Sequence, residues 1–148
     1  MNRFCSLRPV VVVLAAAGIL TLPALAAEEE RPHLSRGTAQ FTPTGFVGAG
    51  IATHLGQYTE VGVITPSEPT VPNVIPLSAW SIYTAANGDR LCAVFSGHLN
   101  AQTGAITATG TYVGGTGRFD DADGSAILSG QMLPDGTITV SVEGTVDY

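Results

Sequence analysis

The chain has 148 residues, 45% of them apolar and only 12% charged, with 18 glycines, 17 threonines and a net charge of −6. That apolar share excludes a chain disordered throughout. Six arginines and no lysine against twelve acids make nucleic acid and anionic membrane surfaces poor partners.

Residues 1–9 hold Arg3 and Arg8 and no acid; residues 10–22 are uncharged and mostly apolar; Pro23 then breaks the run. Ala24-Leu25-Ala26 puts small residues at the two positions a signal peptidase reads, so residues 1–26 are expected to be an export signal. A membrane anchor is the alternative, but thirteen helical residues span only about 20 Å of the roughly 30 Å hydrocarbon core. Removal of residues 1–26 leaves four arginines and twelve acids, a net charge of −8, with no membrane span in what remains. The 122 residues left are enough for one domain. Cys92 is then the only cysteine. In Leu91-Cys92-Ala93-Val94-Phe95 it reads as a small buried residue of an apolar strand, without the positive surroundings a nucleophile needs.

Residues 27–44 are read as a flexible leader, polar at its start with three consecutive glutamates and Pro32, and His33 within it needs no role. Residues 45–148 read as one all-β domain, because glycines and prolines interrupt every helical period while two-residue alternation recurs. Strands are predicted over 46–54 and 57–64, turning at Leu55-Gly56, and over 77–85 beyond a stretch holding four prolines. Asn87-Gly88 signals a type I′ hairpin. Further strands follow at 91–95, 106–112, 125–132 and 137–143. Thr103-Gly104, Gly114-Gly115, Asp123-Gly124 and Pro134-Asp135-Gly136 supply turn signals at meander spacing. Seven or eight strands fit either a closed barrel or a sandwich, and periodicity does not choose between them.

Four stretches resemble bacterial secreted proteins related to the allene oxide cyclase and dirigent barrels. They are Ala52-Thr53-His54-Leu55-Gly56-Gln57-Tyr58-Thr59, Thr84 to Leu91 around Asn87-Gly88, Gly110-Thr111-Tyr112-Val113-Gly114-Gly115-Thr116-Gly117-Arg118-Phe119, and the ending Glu143-Gly144-Thr145-Val146-Asp147-Tyr148. The resemblance implies a single antiparallel eight-stranded β-barrel with an interior cavity. Members of that family close a fatty-acid epoxide or steer coupling of phenolic radicals. Both rely on a dry pocket that restricts a reactive ligand. No catalytic set carries over residue by residue.

No other signature survives inspection. His54 and His98 with Glu60 lack the close spacing of a zinc site. Asp120-Asp121-Ala122-Asp123-Gly124 fails as a calcium loop, because Phe119 and Gly130 stand where the first Asp and last Glu belong. Asp123-Gly124 therefore reads as a hairpin turn, with Arg118 pairing to the acids beside it. The glycines at 114–117 precede a strand, not the helix a phosphate loop requires. Neither a metal nor an organic cofactor is implied.

The expected function is to hold a small apolar or amphipathic molecule inside the barrel without chemistry of its own. The alternatives are a cyclase, isomerase or steering protein in the same cavity, or a structural envelope module with a filled core. Candidate ligand contacts are Trp80, His54, Glu60 and Glu143. Glu143 lies on the outer face if Ile138, Val140 and Val142 fill the core, and on the inner one if the cavity is polar. Trp80 and Ile82 share one strand face, Ala79, Ser81 and Tyr83 the other. Trp80 is expected at the cavity or its mouth because of its large apolar area. Intact-mass measurement of protein from its native host should give a chain beginning at Ala27; a chain retaining residues 1–26 would reject the export reading.

Overall fold

Alternating residues build eight strands and almost nothing else. The computed structural model describes residues 30–148; the export signal expected over 1–26 lies outside them. The strands are β1 (Arg31–Thr42), β2 (Gly45–Ala52), β3 (Gly56–Pro66), β4 (Val74–Ala85), β5 (Arg90–Asn100), β6 (Ala105–Gly115), β7 (Asp123–Met132) and β8 (Thr137–Asp147). A single 3-10 turn, Gly117–Phe119, lies between β6 and β7. Each strand pairs antiparallel with the next, and β1 pairs with β8, so the sheet is a closed barrel with no free edge. Among the described residues no helix is long and apolar enough to cross a membrane.

The flexible leader expected over 27–44 is corrected here. Arg31–Thr42 is the closing strand, in register with β2 from Ser35↔Ala52 to Thr42↔Gly45 and with β8 from Arg31↔Val146 to Gln40↔Thr137. Its inward positions include His33, Ser35, Gly37 and Ala39, while Leu34 and Arg36 point out. A strand whose buried side is small or polar carries no apolar alternation to read.

That small inner face is required by what fills the barrel. Gly37 pairs with Gly50, and Gly50 pairs with Tyr58. The Tyr58 phenol crosses both glycines to reach the Ser35 hydroxyl at 2.8 Å. A Cβ on Gly50 would stand 2.7 Å from the Tyr58 oxygen, and one on Gly37 2.8 Å from it. Phe46 lies over Gly62 and Phe95 over Gly110 in the same way. Aromatic rings from one strand thus occupy the space that glycines leave on its neighbour, the close packing a narrow barrel needs. Two apolar clusters result. The one toward the Leu91 end is built on Leu91, Phe119, Val142 and Val146; the other, toward the Phe46 end, on Ala39, Phe46, Ile106 and Ile138.

The turns differ in detail from the expected ones. Gly56, Gly104 and Gly136 take positive φ where turn signals stand. Gly88 does too, but Asn87 does not, so a type I′ turn is not formed. Ala85 N–H donates to the Asp89 carbonyl (2.9 Å) and Gly88 N–H to the Ala85 carbonyl (2.9 Å), the three-residue loop with a left-handed glycine last. Asp123-Gly124 is not a turn: it opens β7, and the chain reverses through Thr116 to Ala122 instead. Arg118 pairs with Asp89 at 3.7 Å rather than with the neighbouring acids.

Cys92 is buried as expected, at 0% exposure, but it is not the inward residue of β5. Leu91, Ala93 and Phe95 enter the core cluster and Cys92 does not.

Substituting Gly50→Ala should cost about 1–3 kcal/mol or more in urea unfolding, because the added Cβ would run into the Arg36 carbonyl oxygen first and then the Tyr58 hydroxyl, whereas Ile51→Thr, on the outer face beside it, should stay within about 0.5 kcal/mol.

Candidate ligand-binding interior

Inward alternation on β3 and β4 brings one carboxylate and several hydroxyls to mid-barrel. Glu60 faces in from β3, directly opposite Tyr83 of β4 on one side and Gly48 of β2 on the other. Glycine makes the room: a Cβ on Gly48 would lie 3.3 Å from Glu60 Oε2. Glu60 is 8% exposed. Burial raises its pKa, and hydrogen bonds from the Ser81 and Tyr83 hydroxyls partly offset the rise. Tyr58 and Tyr83 meet edge to face at 5.3 Å. The Tyr58, Tyr83 and Tyr112 phenols are all pushed up, by burial first, with the Glu60 charge adding to each.

On one side of this belt the interior is apolar and holds a cavity of about 70 Å³. Ala39, Phe46, Ile106, Leu128 and Ile138 are among its walls, half-exposed Phe41 stands at its mouth, and Glu60 and Ser81 are its polar residues. By volume it accommodates a few heavy atoms, about the share of two or three liquid water molecules. A longer ligand would extend past Phe41.

The opposite end is closed by aromatic and imidazole rings. His33 stacks on His54 at 5.8 Å and meets Tyr112 edge-on at 5.2 Å. Tyr148 hydrogen-bonds His54 Nδ1 at 3.2 Å and packs on Phe119 at 4.8 Å, with the Arg31 guanidinium 4.5 Å above its ring. His54 Nε2 contacts the Pro32 carbonyl at 2.8 Å. His33 Nδ1 and the Tyr112 hydroxyl are buried without a hydrogen-bond partner among the described residues. Desolvation, and then the neighbouring His54, lower the His33 pKa to about 4, so it is neutral at pH 7.

Of the four candidate contacts, the structure places only Glu60 at the cavity. Trp80 is corrected: Ala79, Ser81 and Tyr83 face inward, which turns Trp80 and Ile82 to the outer face. There Trp80 lies beside Val63 and Val94 in a shallow, solvent-open depression. That depression is wider than the interior cavity and contains no ionisable group. Glu143 is on the outer face and exposed, paired across to Ile127 and Leu34. His54 belongs to the closed end, away from the cavity walls. His98 is on the outer surface, 3.1 Å from the Thr107 hydroxyl. Sequence reading missed Ser35, Tyr58, Ser81, Tyr83 and Tyr112, although Tyr58 and Glu60, like Ser81 and Tyr83, share strand parity. It gave His33 no role because its strand was taken as a leader. No known protein family, no curated protein and no solved structure matches this chain.

The unfolded chain binds a proton at His33 from about pH 6.5 downward, while the folded one waits until about pH 4. Stability should therefore fall as pH drops through that window, by about 3 kcal/mol at most from this residue. Glu60 shifts the other way, gaining stability as pH falls. Urea unfolding of wild type minus His33→Leu isolates the histidine; a difference that is flat between pH 7 and 4 would show that His33 is not held neutral.

Proposed function

We propose that the barrel holds a small apolar or amphipathic molecule in its interior, without chemistry of its own, as an exported protein. The observation that carries this reading is an apolar cavity inside a closed barrel whose polar residues are Glu60 and Ser81. Such a pocket takes a hydrocarbon body through area burial and orients it through one polar contact. The resemblance to the allene oxide cyclase and dirigent barrels supports the same use of the interior. Export is supported by the signal-like residues 1–26.

A second reading, a cyclase or isomerase of the resembled kind, is favoured by a specific feature. Glu60, Ser81 and Tyr83 converge, with Glu60 raised toward a protonated form that could donate to a ligand oxygen. It needs turnover as well as binding.

Because Trp80 lies outside, its fluorescence is a poor reporter, and the methyl signals of Leu128 and Ile138 are the ones to follow. Short aliphatic and phenolic compounds should shift them saturably, with affinities from about 10 μM to 1 mM. Ala79→Leu, which fills the cavity, should weaken binding by about tenfold or more. Conversion of a bound compound to one enantiomer of a product would replace the binding reading with the cyclase reading. No response from any compound would leave the filled-core envelope module.

A further inference from the structure

We propose that the molecule taken into this interior carries a protonated amine that pairs with Glu60, its unbranched hydrocarbon part running through the apolar end toward Phe41. The inference rests on the interior-ligand reading and names the ligand's chemistry.

The charge inventory is the first support. The chain has no lysine, and all four arginines among the described residues are exposed. Arg31 lies over Tyr148 at the far end, and Arg118 pairs with Asp89 on the surface. His33, the one buried imidazole, is neutral and couples to His54, not to Glu60. No cation among the described residues therefore faces a carboxyl group that the fold has already taken out of water. A ligand ammonium supplies the missing charge at the cost of its own hydration alone, the carboxyl group having already left water on folding, and each ion of a buried pair normally carries such a cost.

Hydrogen bonding points the same way. Ser81 and Tyr83 donate to Glu60, and an ionised carboxylate accepts at about four sites. The remaining acceptor sites require a donor, and an ammonium offers three. Phe46 and Phe95 line the same cavity, and aromatic rings tolerate an ammonium better than an aliphatic wall does. The narrow volume selects a primary amine on an unbranched chain over a quaternary or polycyclic one. A carboxylate ligand entering head-first would set two desolvated anions against each other.

The test compares three compounds of equal length, hexylamine, 1-hexanol and hexanoate, against the folded protein by calorimetry at pH 8. Hexylamine should bind about tenfold or more tighter than 1-hexanol, and hexanoate should not bind. Glu60→Gln should bring amine and alcohol within about twofold of each other, chiefly through loss of amine affinity. If Glu60→Gln does not fold, the wild-type pH series replaces it: the amine advantage should vanish as pH falls through the Glu60 titration, with 1-hexanol unaffected. An alcohol that binds as tightly as the amine, or an advantage that survives Glu60→Gln or low pH, overturns the amine assignment and leaves the interior-ligand reading standing. Failure of all three compounds to bind removes both.

Discussion

Closing eight strands onto themselves leaves an interior barely wider than the side chains that fill it, and this limit governs the rest of the molecule. Several of the large inward residues are matched by a glycine on an adjacent strand. Tyr58 reaches Ser35 only because Gly50 and Gly37 lie beneath it, and Phe46 depends on Gly62 in the same manner. Glycine is a poor strand residue in isolation. Here its missing side chain is what lets three tyrosines and a glutamate share one cross-section.

The same limit sets the electrostatics. Glu60 sits at mid-barrel among hydroxyls, not cations, so its carboxyl is solvated by Ser81 and Tyr83 and destabilised by burial. The tyrosines around it are held firmly protonated and so remain donors. This belt divides the interior into two unlike halves. Toward Phe119 and Tyr148 the rings pack edge to face and the end is sealed; toward Phe41 and Ile138 the walls are apolar and a cavity remains. A polar floor under an apolar chamber is the arrangement that gives a ligand a direction.

Outside, closure removes the free sheet edges that would otherwise invite pairing with another chain. Much of β6 and β8 then presents threonine and serine to water, while Val47, Val61, Val63 and Val94 are exposed across β2 to β5, beside Trp80. Single apolar residues on a strand's outer side are ordinary. Their abundance here explains why hydrophobicity misidentifies the inner face: on β2 the inward residues between Phe46 and Ala52 are glycines, and the valine and isoleucine point out.

What the sequence determined by itself was the period. Alternation in Thr137 to Glu143 and Ile106 to Tyr112, with glycines at 56, 104 and 136, specifies antiparallel strands and where they reverse, because pleat and positive φ are local properties. It left the face of Glu143 open, and the structure put Glu143 outside by burying Ile138 and Val142 in the core. Tertiary structure alone decided three further things. It made β1 a strand, because pairing with β2 and β8 does not require an apolar inner face. It sent Trp80 outward, because Tyr83 and Ser81 were needed beside Glu60. And it assembled Glu60, Ser81 and Tyr83 with Tyr58 and Tyr112 from β3, β4 and β6, a juxtaposition that depends on register between strands and leaves no trace in the order of residues along any one of them.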